Sequence, residues 1–257
     1  MISAGVYMSN KDVIQRNFSR CARDYDRYAA VQDKAARMLI EQLSGRQFDN
    51  ILDIGCGTGN YTALLRDRFP DSHITALDIS TEMLEVAAYK LGDAISFIAA
   101  DGETIQMVSS FDLITSNACF QWFDSLQAAL NNCAAALREN GLILFSAFGP
   151  ATYHELAARL GPLTSSTFLD ADHIAEAMSL SFENVRVREH VFTQTYATLR
   201  QLFDTIKYTG TRGLGTNGRS IGRQKLVQVE ETYRDKFGEI IATYQIFLCS
   251  ARKRGSK

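Results

Sequence analysis

The stretch Leu52-Asp53-Ile54-Gly55-Cys56-Gly57-Thr58-Gly59 constrains the fold more than any other part of this 257-residue chain. A short apolar run precedes it and an amphipathic run follows it. Three glycines at alternate positions between such runs read as a strand-to-helix turn whose bare backbone a ligand can approach. A second acid, Asp78, ends the next apolar run, one strand-helix-strand unit later. An acid at that strand end is placed to accept hydrogen bonds from a ribose diol. The pattern calls for a doubly wound α/β sheet and a nucleoside-containing ligand.

The glycine spacing narrows the ligand. The dinucleotide fingerprint G-x-G-x-x-G would place its third glycine where this chain has Asn60. In that fold a pyrophosphate rests on the helix N-terminus. Asp53 sets a negative charge beside the turn, which disfavours a diphosphate and suits an ammonium group. S-adenosylmethionine (SAM) carries an ammonium, a sulfonium and a ribose, and no phosphate. The turn Asp53–Gly59 resembles the first motif of class I SAM-dependent methyltransferases. The resemblance implies cofactor contacts at Asp53, Gly55, Cys56, Gly57 and Gly59. It also implies a ribose acid at Asp78, flanked by Ile79 and Met83, and an adenine-side acid at Asp101, beside Gly102. Asn117 is expected at the cofactor's methionine end or the acceptor. A nicotinamide or flavin protein is the competing reading of such a turn.

Short apolar runs alternate with amphipathic ones along the first 150 residues. Strands are expected near Asn50–Ile54, His73–Asp78, Ile95–Ala99, Phe111–Ser116 and Leu142–Phe148. Helices are expected near Gly59–Arg68, Thr81–Leu91 and Ser125–Arg138, the second capped by Ser80 or Thr81. Gly141, after Asn140, is expected to end the third helix. Beyond Pro150, Thr152–Leu160 and Asp170–Ser179 read as helices, and Glu183–Thr193 and Thr243–Arg252 as strands. The last two strands stand about fifty residues apart, far more than a hairpin needs. The stretch between them holds two helical patterns and a glycine-rich loop, Gly210–Gly222. The expected fold is therefore a seven-stranded Rossmann-like sheet with a helical cap inserted between the last two strands. The expected division is a helical arm over the site (1–45), a SAM-binding core (46–196), the cap (197–241), and a last core strand with its tail (242–257).

Composition excludes some classes. Net charge is −2, so there is no overall nucleic-acid signature. No apolar run reaches membrane length and the N-terminus is polar, so a cytoplasmic location is expected. The five cysteines form no C-x-x-C pair and the four histidines show no ligand spacing, so no metal is expected. Charge is uneven. Lys11–Arg37 holds seven basic and four acidic residues, net +3, and Arg200–Lys236 holds eight and four, net +4. The remainder carries −9, so two basic segments sit on an acidic body and point to an anionic partner.

Amino-methylating enzymes acting on nucleic-acid bases often carry N/D-P-P-Y after the fourth strand. This chain has Asn117-Ala118-Cys119-Phe120-Gln121-Trp122 there, without proline. An acceptor that is already anionic, or a carbon or hydroxyl nucleophile, remains. The flanks carry a closer resemblance. Phe18-x-x-x-Ala22-x-x-Tyr25-Asp26-x-Tyr28-Ala29-x-Val31-Gln32, the Phe-Gln-Trp at 120–122, Phe148-Gly149-Pro150-x-Thr152-x-x-Glu155-Leu156 and Thr243-Tyr244-Gln245-Ile246 together resemble the malonyl-acyl-carrier-protein O-methyltransferases of biotin synthesis. The first and second motifs are shared with trans-aconitate methyltransferases, which form the alternative reading. Thr209-Gly210-Thr211 departs from the usual small-residue run. The family resemblance implies methylation of the free carboxylate of a malonyl thioester, with an acidic carrier protein steered by the basic arm and cap. Tyr25, Tyr28 and Gln121 are expected to position the acceptor. Lys207 or Arg212 is expected to hold its carboxylate. A monomer is expected.

Overall fold

The strands are apolar at the centre of the sheet, where both faces are covered, whereas the long edge strand Phe182–Tyr196 alternates with exposed polar residues. In a computed structural model describing residues 10–108, 110–160, 168–211 and 223–255, they are β1 (Asn50–Ile54), β2 (His73–Asp78), β3 (Ser96–Ala99), β4 (Phe111–Asn117), β5 (Leu137–Phe148), β6 (Phe182–Tyr196) and β7 (Ile240–Lys253). They form one seven-stranded sheet in the order β3-β2-β1-β4-β5-β7-β6. The first five run parallel, and β7 runs antiparallel to both of its neighbours. From β1 the chain winds outward to β2 and β3, and from β4 outward to β5 and beyond. The switch point between β1 and β4 opens a crevice at the carboxyl ends of the strands.

Helices α1 (Asn10–Cys21), α2 (Ala30–Gln42), α3 (Asn60–Arg68), α4 (Thr81–Leu91), α5 (Leu126–Ala136), α6 (His154–Leu160), α7 (Ala171–Ser181), α8 (Leu199–Ile206) and α9 (Arg223–Phe237) flank the sheet. Leu130 and Cys133 of α5 and Ile174 and Met178 of α7 are buried against one face. Leu39 of α2, Leu65 of α3, Leu202 of α8 and Tyr233 of α9 belong to the core on the other. Burying each such side chain stabilises by about 1.5–3 kcal/mol over leaving it exposed. Ser80 caps α4, accepting from Met83 N at 3.2 Å, and Ser125 caps α5 through Ala128 N at 3.2 Å.

Two local expectations are corrected. The third expected helix stops at Ala136, not Arg138, and strand pairing begins at Leu137. Gly141 is therefore not its cap. The register shifts between Phe111–Leu137 and Leu113–Leu142, and Asn140 takes φ +60° to turn the chain within that irregularity. A Cβ on Gly141 would lie 2.8 Å from the Arg138 carbonyl oxygen, so only glycine closes the turn. Between β6 and β7 lie α8, a wide turn at Lys207–Thr211, and α9. Residues 212–222 of the expected glycine-rich loop lie outside the described residues.

Candidate active site

The glycine turn leaves β1 with Gly55, Gly57 and Gly59 at φ +69°, +55° and +83°. The three glycines have different reasons to be there. A Cβ on Gly55 would sit 2.4 Å from Cys119 Sγ. One on Gly59 would press on Leu91 and Ala87 of α4 at 3.0–3.3 Å, so that glycine lets α3 pack closely. One on Gly57 would meet nothing within 4 Å, which leaves bare backbone facing a cleft.

That cleft opens at the carboxyl ends of the strands. Eight of the eleven cofactor positions expected from the sequence line it: Gly55, Gly57, Asp78, Ile79, Met83, Asp101, Gly102 and Asn117. Asp78 ends β2 and is 9% exposed. Its two oxygens accept from Gly57 N and Ser80 N, each at 2.9 Å. Burial pushes its carboxyl above the ordinary range, and those backbone donors pull it back. A carboxylate oxygen can accept more than one donor, so this pair keeps capacity for a diol. Asn117 is committed on both ends: its Nδ2 donates to the Gln32 carbonyl at 3.0 Å and its Oδ1 accepts from Ser146 Oγ at 2.7 Å. It thereby ties α2 to the end of β4.

Asp53, Cys56 and Gly59 do not line the cleft. Asp53 is fully buried behind the turn, where Thr62 Oγ1 donates to its Oδ2 at 2.6 Å. Its Oδ1 has no partner among the described residues. Burial pushes its carboxyl up to about 7, the Thr62 hydrogen bond opposes this, and the Asp78 charge adds to it. Asp53 thus lies behind the turn rather than against the cleft, because its strand position points it into the sheet–helix layer.

The arm supplies a wall that the glycine motif does not announce. Lys11 bridges Asp101 and Glu103, at 2.7 Å from the latter. Burial works against its charge, but the two carboxylates outweigh that and raise its pKa. Gln15 donates to the Ile79 carbonyl at 2.8 Å, and Ser19 reaches Ser80 and Glu82 at 2.9 and 2.6 Å. Asp26, next to Tyr25, accepts from Thr58 Oγ1 at 2.6 Å and Asn60 Nδ2 at 3.1 Å, which pins the arm onto the glycine turn. None of Lys11, Gln15 and Ser19 stood out in the sequence, since nothing local marks a residue whose partners lie 60 to 90 positions away.

A second, smaller cavity abuts the first. Phe18, Tyr25, Ala118 and Trp122 line both, so they form a shared wall. Gln32, Gln121, Thr152 and Thr209 also line the second. No Lys, Arg, His, Asp or Glu lines it among the described residues. Burial, with Asp78 nearby, holds the Tyr25 phenol far above its usual pKa, so it stays protonated. Gly210, at φ +86°, packs so closely on Phe18 that a Cβ there would lie 2.3 Å from the ring.

Two expected acceptor residues stand elsewhere. Tyr28 stacks on Tyr208 with centroids 4.5 Å apart and rings 11° from parallel. Lys207 lies over the same Tyr208 ring at 4.5 Å, a cation–π contact. Neither lines either cavity. Arg212 lies outside the described residues.

The strand order, the glycine turn and the acid at the end of β2 define a class I methyltransferase. The family model described as "Methyltransferase domain" matches residues 51–141. The chain is 37% identical to malonyl-acyl-carrier-protein O-methyltransferase 1 of Ilyobacter polytropus over 90% of this chain and 89% of that protein. It is 35% identical to the malonyl-acyl-carrier-protein O-methyltransferase of Priestia megaterium, over 96% of this chain and 99% of the relative. Among solved structures, the YcgJ protein of Bacillus subtilis shares the fold, with a TM-score of 0.63 at 18% identity, covering 87% of this chain and 99% of that one. The chain belongs to the malonyl-acyl-carrier-protein O-methyltransferase family.

Proposed function

We propose that this enzyme transfers a methyl group from SAM to the free carboxylate of a malonyl thioester carried on acyl carrier protein. The cofactor is S-adenosylmethionine. The observation that carries the acceptor reading is the shared wall: a narrow, uncharged cavity adjoins the cofactor cleft across Tyr25 and Trp122. Asp78 would hold the ribose, Asp101 the adenine amine, and the turn at Gly55–Gly57 the methionine end. Bound there, SAM supplies a sulfonium-linked methyl group open to displacement by an oxygen.

A malonyl carboxylate is ionised near neutral pH, so no side chain has to remove a proton. That agrees with a second cavity whose described lining has no carboxylate and no histidine. Tyr25, held protonated, would donate to the acceptor carboxylate, and the aromatic wall would keep water out. Alignment in a dry site can contribute several kcal/mol. The alternative, a free tricarboxylate, would need cations, and among the described residues the cavity has none. Arg16, Arg20 and Arg23 are exposed on the outer side of the arm and would receive the acidic carrier protein.

The test is transfer of a labelled methyl group from SAM to malonyl carrier protein, with free trans-aconitate in parallel. Transfer to the carrier protein alone is expected. Transfer to aconitate alone, or to neither, would sink the reading.

A further inference from the structure

Gln121 is 2% exposed, and its amide orientation is determined: Nε2 donates to the Ala118 carbonyl at 2.7 Å. Its Oε1 is buried and accepts from nothing among the described residues. In the lining of the same cavity, Gln32 also has a buried Oε1 without a partner among them. A buried acceptor without a donor is destabilising. Two of them in the wall of one small cavity describe a site that wants N–H groups from its occupant. An ionised carboxylate has only acceptors. A free tricarboxylate would therefore set oxygen against oxygen. A thioester whose tether contains secondary amides brings the missing donors.

We infer that the second cavity is an amide-recognition subsite, in which Gln121 and Gln32 accept N–H groups from the tether of the thioester acceptor. The inference rests on the thioester reading above and names what in the acceptor, besides its carboxylate, is recognised. The carboxylate lies toward the cofactor cleft, at Tyr25, and the amide end of the tether runs along the Phe-Gln-Trp segment. The subsite also explains why the arm motif ends in Val31-Gln32: Ala29 and Val31 are buried in the core, and Gln32 faces the cavity. A site built to hydrogen-bond an N–H discriminates strongly against an isostere that lacks it.

The experiment uses two small malonyl thioesters as substrates and as inhibitors of methyl transfer to malonyl carrier protein. One is the N-acetylcysteamine thioester, and the other has the amide N–H replaced by an ester oxygen. The wild-type enzyme is expected to prefer the amide by about tenfold or more in kcat/KM or inhibition constant, as one buried hydrogen bond implies. Gln121→Met and Gln32→Met are each expected to shrink that preference several-fold. Each preference is a ratio measured on one variant, so partial misfolding cancels. Equal behaviour of the two thioesters with wild type, including no effect of either, overturns the inference. So does an undiminished preference in both variants. Methylation of the carrier protein by wild type in the same series keeps the two readings separable. If it is absent, the proposed function fails. If it is present without the amide preference, only the subsite fails.

Discussion

The cofactor cleft and the acceptor cavity share four residues and little else in how they are made. The cleft is built at the ends of β1, β2, β3 and β4, with backbone N–H groups of Gly57 and Ser80 on Asp78. The acceptor cavity is assembled from the arm, the segment after β4, the end of β5 with the residues before α6, Phe168 and the turn after α8. The first rests mainly on the sheet, with α1 as one wall. The second depends more on the helical arm, held by polar links such as Asn117 to Gln32. Substitutions in the first should therefore act on cofactor affinity and stability. Substitutions in the second should act on the acceptor alone.

The largest expected effect tests whether the first acid of the motif belongs to the cleft or to the core. Asp53 moves from an ordinary 3.8 to about 7 on folding. Between those values the native state holds a proton that the unfolded chain has lost, so stability falls as pH rises through the window. At 1.36 kcal/mol per unit the fall amounts to at most about 4 kcal/mol. Asp53→Asn removes it. Urea unfolding of the two proteins from pH 4 to pH 8 should show the variant gaining on wild type as pH increases. SAM affinity should change little. A flat difference, or a large loss of affinity, would return Asp53 to the cleft.

Asp78→Ala is the opposite case. It leaves the Gly57 and Ser80 N–H groups unpaired and removes the acceptor for the diol. SAM binding should weaken by about 1–3 kcal/mol, ten- to a hundredfold by calorimetry. Unchanged affinity would erase the contrast between the two acids.

The two regions also differ in what could be read before the fold was known. The sheet order, Asp78 and the glycine turn were legible because each depends on neighbours in sequence: a strand, a turn residue with φ > 0, a helix cap. Even there, the side chain of Asp53 lies behind the turn, since a motif names the residue and not the direction its side chain takes from a strand of period two. The acceptor cavity was legible only as motifs whose purpose was hidden. Tyr25 and Gln121 were singled out and line it. Gln32 was quoted only as the end of a motif, and Thr209 only as a departure from one. Tyr28 and Lys207 looked equally suitable, yet both are spent on Tyr208, a contact no local pattern encodes.

The smallest expected effect concerns the outside of the arm. Arg16 and Arg20 lie one turn apart on α1 and Arg23 follows just beyond it, all exposed, and none is ion-paired with a described residue. Phe18, between the first two, faces inward and packs on Trp122 with ring centroids 5.7 Å apart. The same helix thus presents apolar surface to the cavity and cations to solvent. Exposed charge pairs contribute about 0.2–1 kcal/mol each, and salt screens them with a Debye length of about 8 Å at physiological strength. Reversing Arg16 and Arg20 to Glu should lower kcat/KM for malonyl carrier protein several-fold at low salt, and the deficit should shrink as salt is added. The N-acetylcysteamine thioester carries no acidic protein, so its kcat/KM should not respond. If both substrates suffer alike, the arginines hold the arm in place and the cavity wall is lost with them. If only the carrier protein suffers, the two faces of α1 have separable tasks, with recognition of the protein outside and of the acyl group within.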